Sequence, residues 1–351
     1  MAPTIGFDFD KCLAEAYTIV PFVLLFEILL PNALKIPETP KLAKLILEKS
    51  RLTFYKRLAA YEVQTKGTMF RPSFLRLLPK LIKLRQQGLL HKLFIYSNNT
   101  ISEILNVADH ILSLILQEPP YGVKKDELIM EESDPNRIHT FAPRIHRDNI
   151  CRNSEIMEGA FREKSLEGIQ ACLGESILES ELWFFDDTRD HHKLMNQIGN
   201  QYVVVEPYTI QLSNKVLAEL FVGSFDINVF YPGSQIGTIL LDCINHPSLM
   251  PGFRPKRSDD QGKIIERFID VLKKFSPAGS GYLKKPWKAD YTTNDVKYLE
   301  NGIAGAINQK KQTFEEIIQT YKSVKSGGVH RGRIPESSRL KRTRKLRKDR
   351  K

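Results

Sequence analysis

The sequence predicts an α/β fold, an open and mainly parallel sheet whose strands alternate with helices. Three observations carry that expectation. Short, wholly apolar runs read as buried strands: Ile5 to Phe7, Leu93 to Tyr96 and Leu182 to Phe185. Stretches with helical spacing separate them. Each strand then runs directly into polar residues, at the sheet edge where open α/β sheets build their sites.

In the first strand Ile5 and Phe7 share one face, and Gly6 stands where neighbouring elements come close. The strand ends in Asp8-Phe9-Asp10, with both carboxylates on one side. Two such groups about 4 Å apart repel by roughly 4 kcal/mol at an effective dielectric near 20. They need a cation, a shared proton or a solvated turn. Residues 14–68 form a helix-rich insertion. Its apolar run Tyr17 to Leu30 is broken by Pro21 and Glu27 and closed by Pro31, too short to span a bilayer and suited to a buried helix. Leu42 to Leu47 and Phe54, Leu58 and Tyr61 continue the helical pattern.

Arg71-Pro72 opens the next helix, with a stripe of Leu75, Leu78, Leu81, Ile82 and Leu84, and Gln87-Gly88 ends it. After the second strand, Ser97-Asn98-Asn99 precede a helix over Ile101 to Leu116. A hydroxyl and free N–H groups at a helix start suit an anion; plain capping gives the same pattern. Residues 117–136 read as a loop and Arg137 to Ala142 as a third strand. Residues 155–173 read as a helix that carries Lys164 and is closed by Gly174. The strand Leu182 to Phe185 ends in Asp186-Asp187-Thr188-Arg189-Asp190, and Gln201 to Val205 is the last strand. Unpaired charges at a core edge are costly, so a second carboxylate cluster at a strand end points to function. Arg144 and Arg147 are anion ligands or solvated loop charges, the latter being the more ordinary reading. His191 and His192 face different ways on a helix and read as surface residues.

The 351 residues, 42% hydrophobic and 26% charged, suffice for one large domain with insertions or for two. Four scattered cysteines without a CxxC pair indicate neither zinc nor a disulfide framework, and hence a reducing, cytoplasmic or nuclear compartment. No signal peptide and no transmembrane segment is expected. Of the net charge of +11, residues 331–351 carry +9, so the body is nearly neutral. The expected organisation is a core over 1–222, an accessory α-rich region over 223–326 and a disordered basic tail over 327–351. The accessory region would hold helices over Gly262 to Phe275 and Asn294 to Ser323. The tail could adhere to nucleic acid or to an acidic partner.

Four segments in order, Asp8-Phe9-Asp10, the strand ending in Ser97, Lys164, and Phe184 to Asp190, resemble the four motifs of the haloacid dehalogenase (HAD) superfamily of phosphohydrolases. The resemblance covers about residues 1–210. It implies a Rossmann-like core with residues 14–68 as a helical cap, which favours small substrates if it covers the site and would admit a protein or nucleic-acid end if packed aside. It also implies a Mg²⁺-dependent phosphatase that hydrolyses a phosphomonoester through an aspartyl-phosphate. Asp8 would be the nucleophile. Asp10 would serve as general acid and then base, with a pKa raised by its neighbouring anion. Ser97 would donate to a phosphoryl oxygen and Lys164 would offset negative charge. Asp187, helped by Asp186, would hold Mg²⁺ with Asp8 and the Asp10 carbonyl. Asp190 would support that loop. Cys12 departs from the Thr or Val usual there. The substrate class stays open among small molecules, nucleotides and phosphoproteins. The competing expectation is a catalytically vestigial HAD-fold scaffold, associated with nucleic acid or an assembly. The intact charged set favours the enzyme.

Overall fold

The computed structural model describes residues 2–246 except 16–18, 36–40, 132–133, 135–136, 159–160, 210–211, 227–228, 230–233 and 245. All of them fall within a compact unit, Met1–Thr292. The helices expected over 262–275 and 294–323 and the basic tail lie outside the described residues.

In chain order the elements are β1 (Thr4–Phe7), α1 (Val20–Val23), a π-helical turn (Leu24–Leu29), α2 (Leu30–Ala33), α3 (Lys41–Thr65), α4 (Pro72–Gln86), β2 (Lys92–Tyr96), α5 (Ser102–Gln117), β3 (Ile129–Met130), β4 (Ile138–His139), β5 (Arg144–Ile145), β6 (Met157–Glu158), β7 (Phe161–Arg162), α6 (Leu166–Leu173), β8 (Leu182–Asp186), α7 (His192–Ile198), β9 (Tyr202–Val204), α8 (Asn214–Val222) and α9 (Gln235–Ile244).

One five-stranded sheet has the order β5-β2-β1-β8-β9, with every neighbouring pair parallel. The fold is therefore α/β. The chain builds outward from β1 through β2 to β5, then crosses back to β8 on the other flank. The order reverses between β1 and β8, and the carboxyl ends of these strands frame the crevice where such sheets place ligands.

β1 is buried along its whole length, as its apolar run requires. On one face Phe7 stacks on Phe185 at 5.0 Å between centroids and meets Phe74 of α4 edge-on at 5.3 Å. On the other face Gly6 leaves room for two rings. A Cβ there would lie 2.4 Å from Phe94 Cζ and 2.6 Å from Phe184 Cδ2. Those rings belong to a core shared with Leu166 and Ile169 of α6 and Leu194 and Ile198 of α7.

The insertion is helical, as expected, and it packs against core helices. α1 and α3 lie on α5, and α3 also meets α8 and α9. Phe22, Phe26, Phe54, Phe221 and Phe225 form one aromatic cluster; Phe22 and Phe54 lie 4.7 Å apart, Phe26 and Phe221 5.6 Å. Residues 235–244, assigned to the accessory region, thus join the insertion.

Four expectations need correction. The edge strand of the sheet is Arg144–Ile145, while Ile138–His139 pairs antiparallel with β3 in a separate two-stranded ribbon. Arg144 is no solvated loop charge: it donates to Asn106 Oδ1 at 2.8 Å and to the Phe141 carbonyl at 2.7 Å. Residues 155–173 are not one helix. Met157–Glu158 and Phe161–Arg162 pair as a hairpin, and α6 starts only after Ser165, whose side chain caps the Gly168 N–H at 3.1 Å. Cys151 and Cys172 form a disulfide. Their separation of 21 residues hid a pairing that arises when the turn Ile150–Arg152 packs on α6. Among the described residues no helix is long and apolar enough to cross a membrane.

Candidate active site

The register Phe7↔Phe185 places Asp8 and Asp186 level with each other on adjacent parallel strands, and the Asp8 N–H still donates to the Phe185 carbonyl at 2.7 Å. Level positions on parallel neighbours point to the same face, here the face of Gly6 and Phe184. Lys164, just before the cap of α6, lays its ammonium between the two carboxylates. It is 2.6 Å from Asp8 Oδ1, 2.8 Å from Asp186 Oδ2 and 5.0 Å from the centroid of the Phe184 ring. The space that Gly6 leaves for Phe184 is therefore also the floor of this ion cluster.

Asp186 is tied on both oxygens, since Oδ1 accepts the Thr188 N–H at 3.1 Å. Asp8, Asp186 and Asp187 bring ligand oxygens within 4.8 Å of one another, the only such group among the described residues. Asp10 stands apart from that trio. Its Oδ2 accepts from Asn99 Nδ2 at 3.2 Å and from Ser97 Oγ at 3.4 Å. Asp8, Asp10, Asn99, Lys164, Asp186 and Asp187 border an open cleft of about 560 Å³, together with Lys11, Val20, Asn98, Thr100, Ile101, Ile104, Arg147, Phe161 and Asp190.

Five carboxylates and three cations line this cleft, leaving excess negative charge. Its effect appears in the acids. Burial pushes the Asp8 pKa well up, and Asp186, Asp10 and Asp187 push it further against the pull of Lys164. Asp187 is raised to about 6, by burial and then by Asp186. Burial alone would lower the Lys164 pKa, but Asp186 and Asp8 overcome it and the ammonium stays charged. Asp10 is raised by burial against the opposing hydrogen bond from Asn99, so the expected cause, a neighbouring anion, is replaced by desolvation.

Asp8, Asp10, Lys164, Asp186 and Asp187, each picked from sequence, thus meet around one cleft. Ser97 is fully buried and bonded to Asp10, and the cleft wall on that side is formed by Asn98, Asn99 and Thr100. His191 is not a surface residue. It is buried, stacks on Phe161 at 4.8 Å and 12°, and accepts the Lys164 backbone N–H on Nδ1 at 3.1 Å. Burial pulls its pKa far down, so the ring is neutral with its proton on Nε2. The expectation failed because His191 precedes α7, where helical spacing does not apply. His192, the first residue of α7, is exposed.

No site role was expected from the sequence for Arg71, Arg152 or Glu155, nor for the Asn99 side chain by itself. Arg71 is buried and donates to the carbonyls of Cys12 (2.7 Å), Lys11 (3.0 Å) and Glu206, which pins the loop after β1. Only the position of Asn99, in a loop suited to anions, gave a signal in the sequence.

No family model, curated protein or solved structure matches this chain.

Proposed function

We propose that this chain is a Mg²⁺-dependent phosphohydrolase of the HAD type, cleaving a phosphomonoester through a phosphorylated Asp8. The observation that supports it best is the Asp8 carboxylate at the reversal point of the sheet. It faces a cleft with an ammonium at 2.6 Å and with Asp186 and Asp187 beside it.

The donor set fits a hard divalent cation. Three carboxylates supply only oxygen, and they sit in a cleft with excess negative charge. Asp8 and Asp187 are the ligands with oxygen to spare, because Asp186 already serves Lys164 and Thr188. When bound, Mg²⁺ would neutralise charge on a phosphoryl group and hold it in line.

The remaining chemistry belongs to the chain. An Asp8 oxygen attacks phosphorus while the bond to the leaving oxygen breaks. Lys164 opposes the burial that raises the Asp8 pKa and offsets the charge of the approaching phosphoryl group. Asp10, whose raised pKa favours its protonated form, gives its proton to the leaving oxygen. It then takes a proton from water as that water attacks the acyl-phosphate, which restores Asp8 and releases inorganic phosphate. Asn99 and Ser97 hold Asp10 in place for both transfers. The cleft is open, and among the described residues of 20–65 only Val20 borders it, a shape that suits substrates larger than inorganic phosphate.

The test is hydrolysis of p-nitrophenyl phosphate with Mg²⁺ and with chelator, by the natural protein and by Asp8→Asn. Turnover by the natural protein alone, abolished by chelator, is expected. Equal rates in the two proteins would sink the reading.

A further inference from the structure

We propose that Arg152 is a positioning residue for this reaction, a buried guanidinium that holds the loop behind Asp10 and the segment carrying Lys164 in one fixed relation. The inference rests on the phosphohydrolase reading. Arg152 does not line the cleft and is fully buried, yet its fork holds one wall of the site directly and the other through Glu155. Nη1 donates to the Ser97 carbonyl at 2.6 Å, and Nη2 donates to Asn98 Oδ1 at 3.0 Å. Nε donates to Glu155 Oε2 at 2.6 Å, and the guanidinium carbon lies 4.2 Å from the centroid of the Tyr96 ring.

Glu155 carries the brace to the other wall. Its Oε1 accepts the Tyr96 hydroxyl at 2.6 Å and the Ser165 N–H at 3.0 Å, one residue beyond Lys164. The space is filled to the limit: a Cβ on Gly168 would lie 2.4 Å from Glu155 Oε1 and 2.7 Å from the Tyr96 hydroxyl. Asn98 closes the circuit by donating Nδ2 to the Arg162 carbonyl at 3.0 Å. One residue before Arg152, Cys151 is bonded to Cys172 in α6. The brace is thus fastened to the helix that follows Lys164.

A buried ion pair gains little net stability over apolar side chains of the same volume, so stability does not account for this one. What an apolar pair could not supply is a planar fork whose donors fix two loops at once. The consequence reaches the reacting groups through two short paths. The Ser97–Asn99 loop presents the hydroxyl and amide that hold Asp10, and Ser165 sets where the Lys164 chain begins. Arg152 has no hydrogen bond to the proposed metal ligands Asp8 and Asp187 among those described.

The test compares the natural protein with Arg152→Lys, and with the charge-free double variant Arg152→Met/Glu155→Leu, using p-nitrophenyl phosphate and Mg²⁺. Misplacement of this kind is expected to lower kcat about 100-fold in the double variant. Arg152→Lys keeps the charge but loses the fork, and about a tenfold loss is expected. Mg²⁺ affinity, read from the metal-dependent rise in Tm, should stay within about threefold of the natural protein, a split that general unfolding would not give. If the double variant does not fold, Arg152→Lys decides. Wild-type kcat in whichever variant folds, or parallel loss of kcat and Mg²⁺ affinity, would overturn the positioning role. Absence of Asp8-dependent turnover in the natural protein would instead overturn the phosphohydrolase reading, and this role with it.

Discussion

Asp8 and Asp186 stand level on adjacent parallel strands, and the Lys164 ammonium bridges them at 2.6 and 2.8 Å. The relation is set by strand register, so it exists before any ligand binds. It also gives Lys164 a structural part, since without its ammonium two buried carboxylates would face each other with no cation between them.

Replacing Lys164 by Met should therefore destabilise the fold by about 3 kcal/mol, the typical result of removing one partner from a buried ion pair. Urea denaturation at pH 7.5 measures it. The Asp186→Asn/Lys164→Met pair should recover part of that loss, with a coupling of about 1 kcal/mol or more in a double-mutant cycle. Additive effects would mean that the ammonium and Asp186 are independent.

Gly6→Ala tests the floor of the cluster. The new Cβ would enter the space of Phe94 and Phe184, which are both fully buried. Overpacking of this kind costs about 1–3 kcal/mol. Because the Phe184 ring lies under the Lys164 ammonium, turnover should fall as well as Tm. A variant with unchanged Tm and rate would show that the rings are free to move aside.

How far the sequence revealed this arrangement follows from the same residues. Asp8, Asp187 and Ser97 were legible because each ends an apolar run, and strand ends in an α/β sheet share one edge. Lys164 was found on the wrong element: a helix was expected over 155–173, while the chain forms a hairpin and then restarts at the Ser165 cap. Arg152 and Glu155 were not legible, because their partners Ser97, Asn98, Tyr96 and Ser165 lie up to 59 residues away. The Cys151–Cys172 pairing was hidden for the same reason, since tertiary packing alone brings the two together. Arg144 and His191 both read as surface charges until their neighbours were known.

Stability should fall on mild acidification through His110 of α5. The ring is buried, its Nδ1 lies 3.3 Å from the Ile138 carbonyl and amide, and burial lowers its pKa to about 4. The unfolded chain takes up this proton near the ordinary value of about 6.5, so between about pH 6.5 and 4 it binds more protons than the native state. Unfolding free energy then falls as pH drops through that window, by about 3 kcal/mol in all. Tyr55, Arg137, Asp109 and His139 surround the ring, and His110→Gln should flatten this part of the profile while leaving their contributions. Denaturant midpoints at half-unit pH steps would show it. An unchanged slope in the variant would assign the acid sensitivity elsewhere.

Mg²⁺ itself should stabilise the native state. The carboxylate trio is preformed, whereas an unfolded chain offers no comparable site, so the ion binds one state only. At 100 times its dissociation constant the gain is about 2.7 kcal/mol. Scanning calorimetry with Mg²⁺ and with chelator measures the corresponding rise in Tm. Asp187→Asn removes a proposed ligand that makes no hydrogen bond to Lys164 among those described, so the apo variant should fold and the metal-dependent rise should vanish. Asp186→Asn should act differently: its oxygens already bind Lys164 and the Thr188 N–H, so apo stability should drop while much of the Mg²⁺ response survives. The reverse pattern, with Asp186 governing the metal response and Asp187 the apo stability, would exchange the roles assigned to these two neighbours. A natural protein whose Tm ignores Mg²⁺ would remove the cation from the site altogether.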